Sequence, residues 1–458
     1  MSRLFSNLPS VNDLLESAPL KGVIETVGRN RVVADTARFL DRMRQQAQSA
    51  AQHAFQVTTQ DLAQRVARWI AAGAPGGQRS IINATGVLLP TDLAGPPLAL
   101  EAIDALAHSG GAYQSGDQLA TVTAHLSRLA GCEATLVFPS ASAALLAALS
   151  AIANGKEVVL RRGELERDPQ EMPLDELARC AGATLREVGS INETTLADYE
   201  QALSVNSAAI LSVALRYSPL MPVAVPTLAA LGSMATRRSL PLIADLGWSG
   251  VMDLSPYGLT GMTTAKAARE AGADLLILRG HGTLGGPACG ILAGRANLIE
   301  RIAAQPFAKA ARATPPILAA LATTLELSET TATAEQRLPL FSLLSTTMEN
   351  LKLRAERLAP QMAAVPGIAA AEVVSTKVPL ASRRVAEEEL PSWAIALTPA
   401  SGSAAELAAR LLSGSLAIAS RLENERVLLD LRSVAPKYDL ALVDAVVALA
   451  GPVEQAVP

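Results

Sequence analysis

Apolar residues follow two rhythms along the chain. Over residues 11–72 they recur at helical spacing, as in VVADTARFLDRMRQQ, which predicts several helices. AAGAPGGQRS then ends any helix with Pro75, Gly76 and Gly77 and is the best linker candidate. Beyond it, strand-like aliphatic runs alternate with helical stretches. ATLVFPS precedes ASAALLAALSAIA, EVVLRR precedes LDELARCAG, and AAILSVAL precedes VPTLAALGSMATRR. LPLIADLG then precedes AKAAREAG, and DLLILRG closes the series. This alternation predicts right-handed βαβ units and a mainly parallel sheet. Residues 314–360 read as mainly helical, with a long helix around STTMENLKLRAERLAPQM. The C-terminal stretch mixes strands (WAIALTP, RVLLDLR) with helices (AAELAARLL, LALVDAVVALA). The expected organisation is a helical N-terminal domain over 1–75, a large α/β domain over 76–345 and a smaller α+β domain over 346–458.

Composition narrows the class. Half of the 458 residues are hydrophobic and only 3% are aromatic, which suits a parallel sheet built from aliphatic strands. The longest apolar runs are too short to span a bilayer, and MSRLFSNLPSVNDLLES lacks a secretory pattern. Cys132, Cys180 and Cys289 are few and unevenly spaced, so neither a disulfide framework nor a metal site is expected. A cytoplasmic setting is the expectation. The formal net charge of −4 is uneven. Residues 1–80 hold ten Lys/Arg against six Asp/Glu, so a basic head precedes an acidic body. A phosphate-backbone partner would favour that polarity, and an ordinary solvated helical face would also produce it.

Candidate chemistry lies at the carboxyl ends of the strands, where ligands bind in such sheets. In LVFPSASAAL, Ser140, Ala141 and Ser142 open a helix whose unpaired N–H groups can hold a phosphate. Ser140 also reads as an ordinary helix cap. In LPLIADLGWSG, Asp245 ends a strand. A carboxylate there can pair with a protonated pyridine nitrogen, or can cap its own loop. The third strand end is ADLLILRGHGTLGGPACGILAG, a buried strand, a polar turn, a glycine pair and a second strand.

Taken with the N-terminal phrases, these stretches resemble one family nearly end to end: bacterial selenocysteine synthase, the L-seryl-tRNA(Sec) selenium transferase. NLPSVNDLL, INATGVLLPTDLAGPPL, GKEVVLRRGEL, GATLREVGSINETTLADYEQAL, IADLGWSGVMDLSPYGL, GADLLILRGHGTLGGPACGILAG, QPFAKAARATPPILAAL, ELPSWAIAL and VLLDLRSV occur in the family's order. The resemblance implies a fold-type I pyridoxal-phosphate (PLP) transferase, aspartate aminotransferase-like, with a small N-terminal domain that contacts tRNA and a homo-oligomeric assembly.

Departures cluster where the resemblance puts catalytic groups. Against the family's S-G-D-K-L-L-G-G-P, this chain reads RGHGTLGGP, so Gly282 falls on the Schiff-base lysine and His281 on the preceding Asp. Pro90-Thr91-Asp92 stands for His-Thr-Asn, and Ala94-Gly95 for Gly-Arg. Pro139-Ser140-Ala141-Ser142 replaces an asparagine-rich turn, and Ser212-Val213-Ala214-Leu215-Arg216-Tyr217 lacks the family's His and Asn. ERDPQEMP replaces a Gly-Gly-Ser turn. Lys309 and Arg312 fall on two arginines that hold the selenium donor's anion, although Lys lacks arginine's planar fork. Asp245 is kept, and with Ser140, Ala141, Ser142 and Thr283, which follows the altered position, it makes up the cofactor-binding set that the resemblance implies. Of the seven lysines (21, 156, 266, 309, 352, 377 and 437), only Lys309 is near the site by resemblance.

The expectation is a selenium-transferase-like protein that is catalytically degenerate and retains RNA binding, a pseudoenzyme of selenocysteine biosynthesis that binds PLP non-covalently if at all. The alternative is an active transferase or lyase using non-covalent PLP or pyridoxamine phosphate, with His281 as base. A lyase acting on small sugar acids is a third class, for which the basic head has no evident use.

Overall fold

A computed structural model describes residues 9–40 except 28, 30, 31, 34 and 38, then 58–71, 80–165 except 94, 112 and 114, 172–214, 224–382, and 389–449 except 415. The linker candidate at 72–79 lies outside the described residues, as do Ala94, Arg216 and Tyr217 and most of ERDPQEMP.

The chain divides into two compact units. One comprises 87–348 with 377–392, and the other 1–86 with 349–376 and 393–458. The first is built on a seven-stranded sheet of β2 (Ala134–Phe138), β3 (Glu157–Arg161), β4 (Thr184–Val188), β5 (Ser207–Val213), β6 (Leu242–Asp245), β7 (Leu275–Arg279) and β8 (Gly290–Gly294), in the order β2-β8-β7-β6-β5-β3-β4. All neighbours pair in parallel except β8, which runs antiparallel to both β2 and β7. Helices bury both faces, so the central strands can be apolar without a break. On β7, Leu275 and Ile277 enter one core cluster while Leu276 and Leu278 enter the other, the period-two alternation of a pleated strand.

β4 escapes the aliphatic signal because it is an edge strand. Its TLREV sequence leaves three of five residues exposed, and charged side chains guard an edge against further pairing.

The second unit holds most of a five-stranded sheet, ordered β1-β11-β12-β10-β9, from β1 (Ile81–Ala84), β9 (Ile368–Pro379), β10 (Glu389–Pro399), β11 (Ala417–Glu423) and β12 (Arg426–Asp430). β1 lies within the stretch 76–345 yet pairs in parallel with β11. The expected long helix runs from Met348 to Ala363. Near the N-terminus, helices Val11–Leu15, Ala18–Val27 and Thr59–Ala71 enclose a cluster of Leu14, Leu15, Leu20, Leu62, Val66 and Ile70. Among the described residues no helix is long and apolar enough to cross a membrane, and no group of His, Cys, Asp and Glu could hold a metal.

Candidate functional site

Strand direction gathers the chemistry at one edge. The parallel strands β2, β3, β5, β6 and β7 all end there, and antiparallel β8 begins there, with Gly290 paired to both Phe138 and Arg279. Asp245 pairs with Ile277, so the pleat points Asp245, Ile277 and Arg279 to the same face. Arg279 is two residues beyond Asp245's partner, and its long side chain turns back across that gap.

The result is a buried bidentate ion pair. Arg279 Nη1 donates to Asp245 Oδ1 at 2.6 Å, and Nη2 donates to Oδ2 at 3.2 Å. Arg279 Nη1 also donates to the Gly247 carbonyl at 3.0 Å, and the Gly247 amide donates to Asp245 Oδ1 at 2.9 Å. The two side chains are 1% and 4% exposed, so solvent balances neither charge and each helps to neutralise the other. Asp245 thus ties down its own loop and neutralises a neighbouring strand.

The turn after Arg279 is closed by backbone. Gly280 N donates to Cys289 O at 2.9 Å, and Gly286 N to Gly280 O at 2.7 Å. Thr283 reaches across to the loop after β6, where its amide and its Oγ1 both donate to the Trp248 carbonyl, at 2.9 and 2.8 Å. The Trp248 carbonyl borders Gly282 so closely that a Cβ there would lie 2.8 Å from its oxygen. Gly282 is buried, and no amine projects from this turn.

His281, half-buried, sets its ring edge-to-face with Trp248, the centroids 5.8 Å apart. A Cβ on Gly95 would lie 4.0 Å from His281 Cβ, so the loop carrying Gly95 lies against the same turn. Of the other histidines, His108 is exposed on helix Leu100–Gly111, and His125 Nδ1 lies 2.7 Å from Glu329 Oε1. His53 lies outside the described residues.

At the end of β2, exposed Ser140 caps helix Ala141–Ile152 and accepts from Ala143 N at 3.2 Å. Ala141 is buried and Ser142 half-buried. Gly290 packs directly on the Ser140 carbonyl, leaving no space for a Cβ. Lys309 and Arg312 sit exposed on and after the short helix Pro306–Ala310. Among the described residues neither forms an ion pair with Asp245, Arg279 or the turn. The structure therefore joins Asp245, Trp248, His281, Gly282 and Thr283 into one connected set and leaves Lys309 and Arg312 apart from it.

Two features were not singled out from the sequence. Arg279 reads in sequence as the polar end of a strand, and its function appears only once β6 and β7 are neighbours. At the end of β3, Arg161 Nε lies 3.7 Å from Glu164 Oε1, with the side chains 5% and 7% exposed. Burial pushes the Glu164 carboxyl up to about 8, against the opposing pull of Arg161. Its Oε2 has no hydrogen-bond partner among the described residues, consistent with a carboxyl that carries a proton near neutrality.

Comparison with known proteins places this geometry. Residues 81–435 match the family model described as L-seryl-tRNA selenium transferase, and residues 5–44 match that of the selenocysteine synthase N terminal. The chain is 32% identical over 459 residues to the L-seryl-tRNA(Sec) selenium transferase of Moorella thermoacetica, covering 97% of this chain and 96% of the relative. It is 31% identical over 450 residues to that of Hyphomonas neptunium, covering 95% and 96%. Among solved structures it is similar in fold to a D-glucosaminate-6-phosphate ammonia-lyase, with a TM-score of 0.59 and 23% identity, over 82% of this chain and 97% of that one. The chain belongs to the L-seryl-tRNA selenium transferase family and has the fold-type I architecture of PLP-dependent transferases.

Proposed function

We propose that this chain is a family member that has kept the transferase scaffold and lost covalent hold of its cofactor, so that it acts as a catalytically degenerate, RNA-binding relative of selenocysteine synthase. One observation carries the proposal. The turn after β7, where the resemblance puts the cofactor lysine, presents Gly282 hard against the Trp248 carbonyl, and RGHGTLGGP itself holds no lysine. When bound in this fold, PLP supplies an electron sink for bond breaking at an amino acid's α-carbon. The residues here do not fit it: the turn after β7 carries no tethering amine, and Asp245 is engaged by Arg279.

RNA binding is supported by the relatives' names, which refer to seryl-tRNA, and by the excess of basic residues in the first 80. Among the described ones, Lys21, Arg29 and Arg65 are exposed. Lys21 also pairs with Glu16 at 3.0 Å, a surface contact that phosphate could readily displace. Most of the remaining basic positions lie outside the described residues. In this proposal the protein is a cytoplasmic homo-oligomer, and Lys309 and Arg312 are exposed cations available to an anion.

The test pairs two measurements on the full chain. Seryl-tRNA is titrated by gel shift across a salt series, and turnover to a selenium- or sulfur-bearing product is assayed in parallel. Salt-sensitive binding without turnover is expected. Turnover would favour the second reading, non-covalent PLP or pyridoxamine phosphate with His281 as base, for which His281's place beside Gly282 and Trp248 is the supporting observation. Absence of RNA binding at low salt would remove the RNA-binding half of the proposal.

A further inference from the structure

We infer that Arg279 is a built-in substitute for the protonated ring nitrogen of a pyridine cofactor, and that it closes this site even to cofactor bound without a covalent tether. The inference rests on the reading of the chain as a family member without a tethering lysine and goes a step beyond it, because that reading leaves non-covalent binding open.

A pyridinium N–H needs a carboxylate oxygen within about 3 Å and in line with it. At Asp245 both oxygens already accept from the protein. Oδ1 accepts from Arg279 Nη1 and from the Gly247 amide, and Oδ2 accepts from Arg279 Nη2. The guanidinium offers two parallel N–H groups to the carboxylate, where a pyridinium offers one. It is also part of the chain, so its local concentration never falls. To admit a ring, Arg279 would have to leave the Asp245 carboxylate and also its bond to the Gly247 carbonyl. Its side chain is 1% exposed, so the displaced cation would remain in a poorly solvated interior.

The arrangement follows from the sheet. Because Asp245 pairs with Ile277, the residue two further along β7 lies on the same face as this carboxylate, and that residue is Arg279. Against the family phrase, it stands where the serine of S-G-D-K stands. A serine side chain is too short to cover Asp245. An arginine at that one position both fills the space and supplies the charge.

The experiment uses pyridoxamine phosphate, which carries the pyridine ring and phosphate but no aldehyde to react with surface lysines. Equilibrium dialysis and thermal unfolding compare wild type, Arg279→Ser and the double variant Arg279→Ser/Asp245→Ala. Wild type is expected to show no saturable binding up to about 1 mM. Arg279→Ser is expected to bind at least about tenfold more tightly, with a Tm that rises as ligand is added. The double variant is expected to lose that gain, since the carboxylate that would hold the ring is gone.

Should Arg279→Ser not fold, Arg279→Met retains more of the stem's packing and carries the same expectation. Independently of any variant, wild-type crystals soaked in the ligand should keep the guanidinium on Asp245 with no ring beside it. Saturable wild-type binding, a soaked ring with Arg279 swung away, or folded Arg279 variants no better than wild type would each overturn the inference. Non-covalent binding by wild type leaves the untethered reading intact. That reading fails separately, if PLP followed by borohydride labels one lysine stoichiometrically.

Discussion

Placing a methyl group on Gly282 tests the geometry of the turn in a way that fixes the sign of the effect. The backbone φ of Gly282 lies outside the left-handed range, so φ does not require glycine there. In open space Gly282→Ala would then stabilise the protein by about 0.4–1 kcal/mol, through lost freedom of the unfolded chain. The space is not open. The new Cβ would stand 2.8 Å from the Trp248 carbonyl oxygen and 3.4 Å from its carbonyl carbon and Cα. Relieving that contact requires a backbone shift of roughly half an ångström, and overpacking of this kind costs about 1–3 kcal/mol.

The same carbonyl accepts both the amide and the hydroxyl of Thr283, and weakening either bond adds up to about 1 kcal/mol. Gly282→Ala is therefore expected to lose about 1–3 kcal/mol in urea unfolding once the entropic gain is subtracted from the clash and the weakened bond. Gly282→Lys meets the same clash at its Cβ, so it is expected to be destabilised to a similar degree and not to acquire transferase activity. A Gly282→Ala variant as stable as wild type, or more so, would refute the argument from Trp248.

Two further outcomes follow from the buried charges. Asp245→Ala removes the buried carboxylate opposite Arg279 and should cost about 3–5 kcal/mol, whereas Asp245→Leu/Arg279→Met should lie much nearer wild type. Single-variant losses that simply add, within about 0.5 kcal/mol by chemical denaturation, would show that the pair is not coupled. Glu164 titrates near 8 in the folded chain against 4.5 as a free carboxyl, so between those values the native state holds the extra proton. Its contribution to stability is complete below pH 4.5 and falls as pH rises towards 8. Glu164→Gln should flatten the decline in urea midpoint between pH 5 and pH 8. An unchanged slope would mean that Glu164 is ionised throughout.

The architecture was legible because it is written in local signals. Runs such as LPLIADLG and DLLILRG are apolar without alternation, as strands buried on both faces require, and helical stretches separate them. β4 and β9 carried weaker signals because each lies at a sheet edge with solvent on one side. The role of Asp245 was only half legible. Its sequence position marks a strand end, and both its cofactor-facing and its loop-capping readings follow from that position alone. The Arg279 contact depends on β6 and β7 being neighbours in a particular register, a relation between residues 34 apart that local patterning does not encode. Ser140 shows the opposite case. An N-cap is a three-residue affair, and the bond to Ala143 N lies within reach of sequence reasoning.

The decisive experiment is chemical trapping. Purified protein is incubated with excess PLP, reduced with borohydride, digested and mapped by mass spectrometry for pyridoxyl-modified lysine. Only scattered, substoichiometric labelling of exposed lysines is expected, since the turn after β7 offers a hydrogen where an amine would be needed. A single lysine modified to one equivalent per chain, and protected when the protein binds seryl-tRNA, would mean that the scaffold has found another tether and that its chemistry survives.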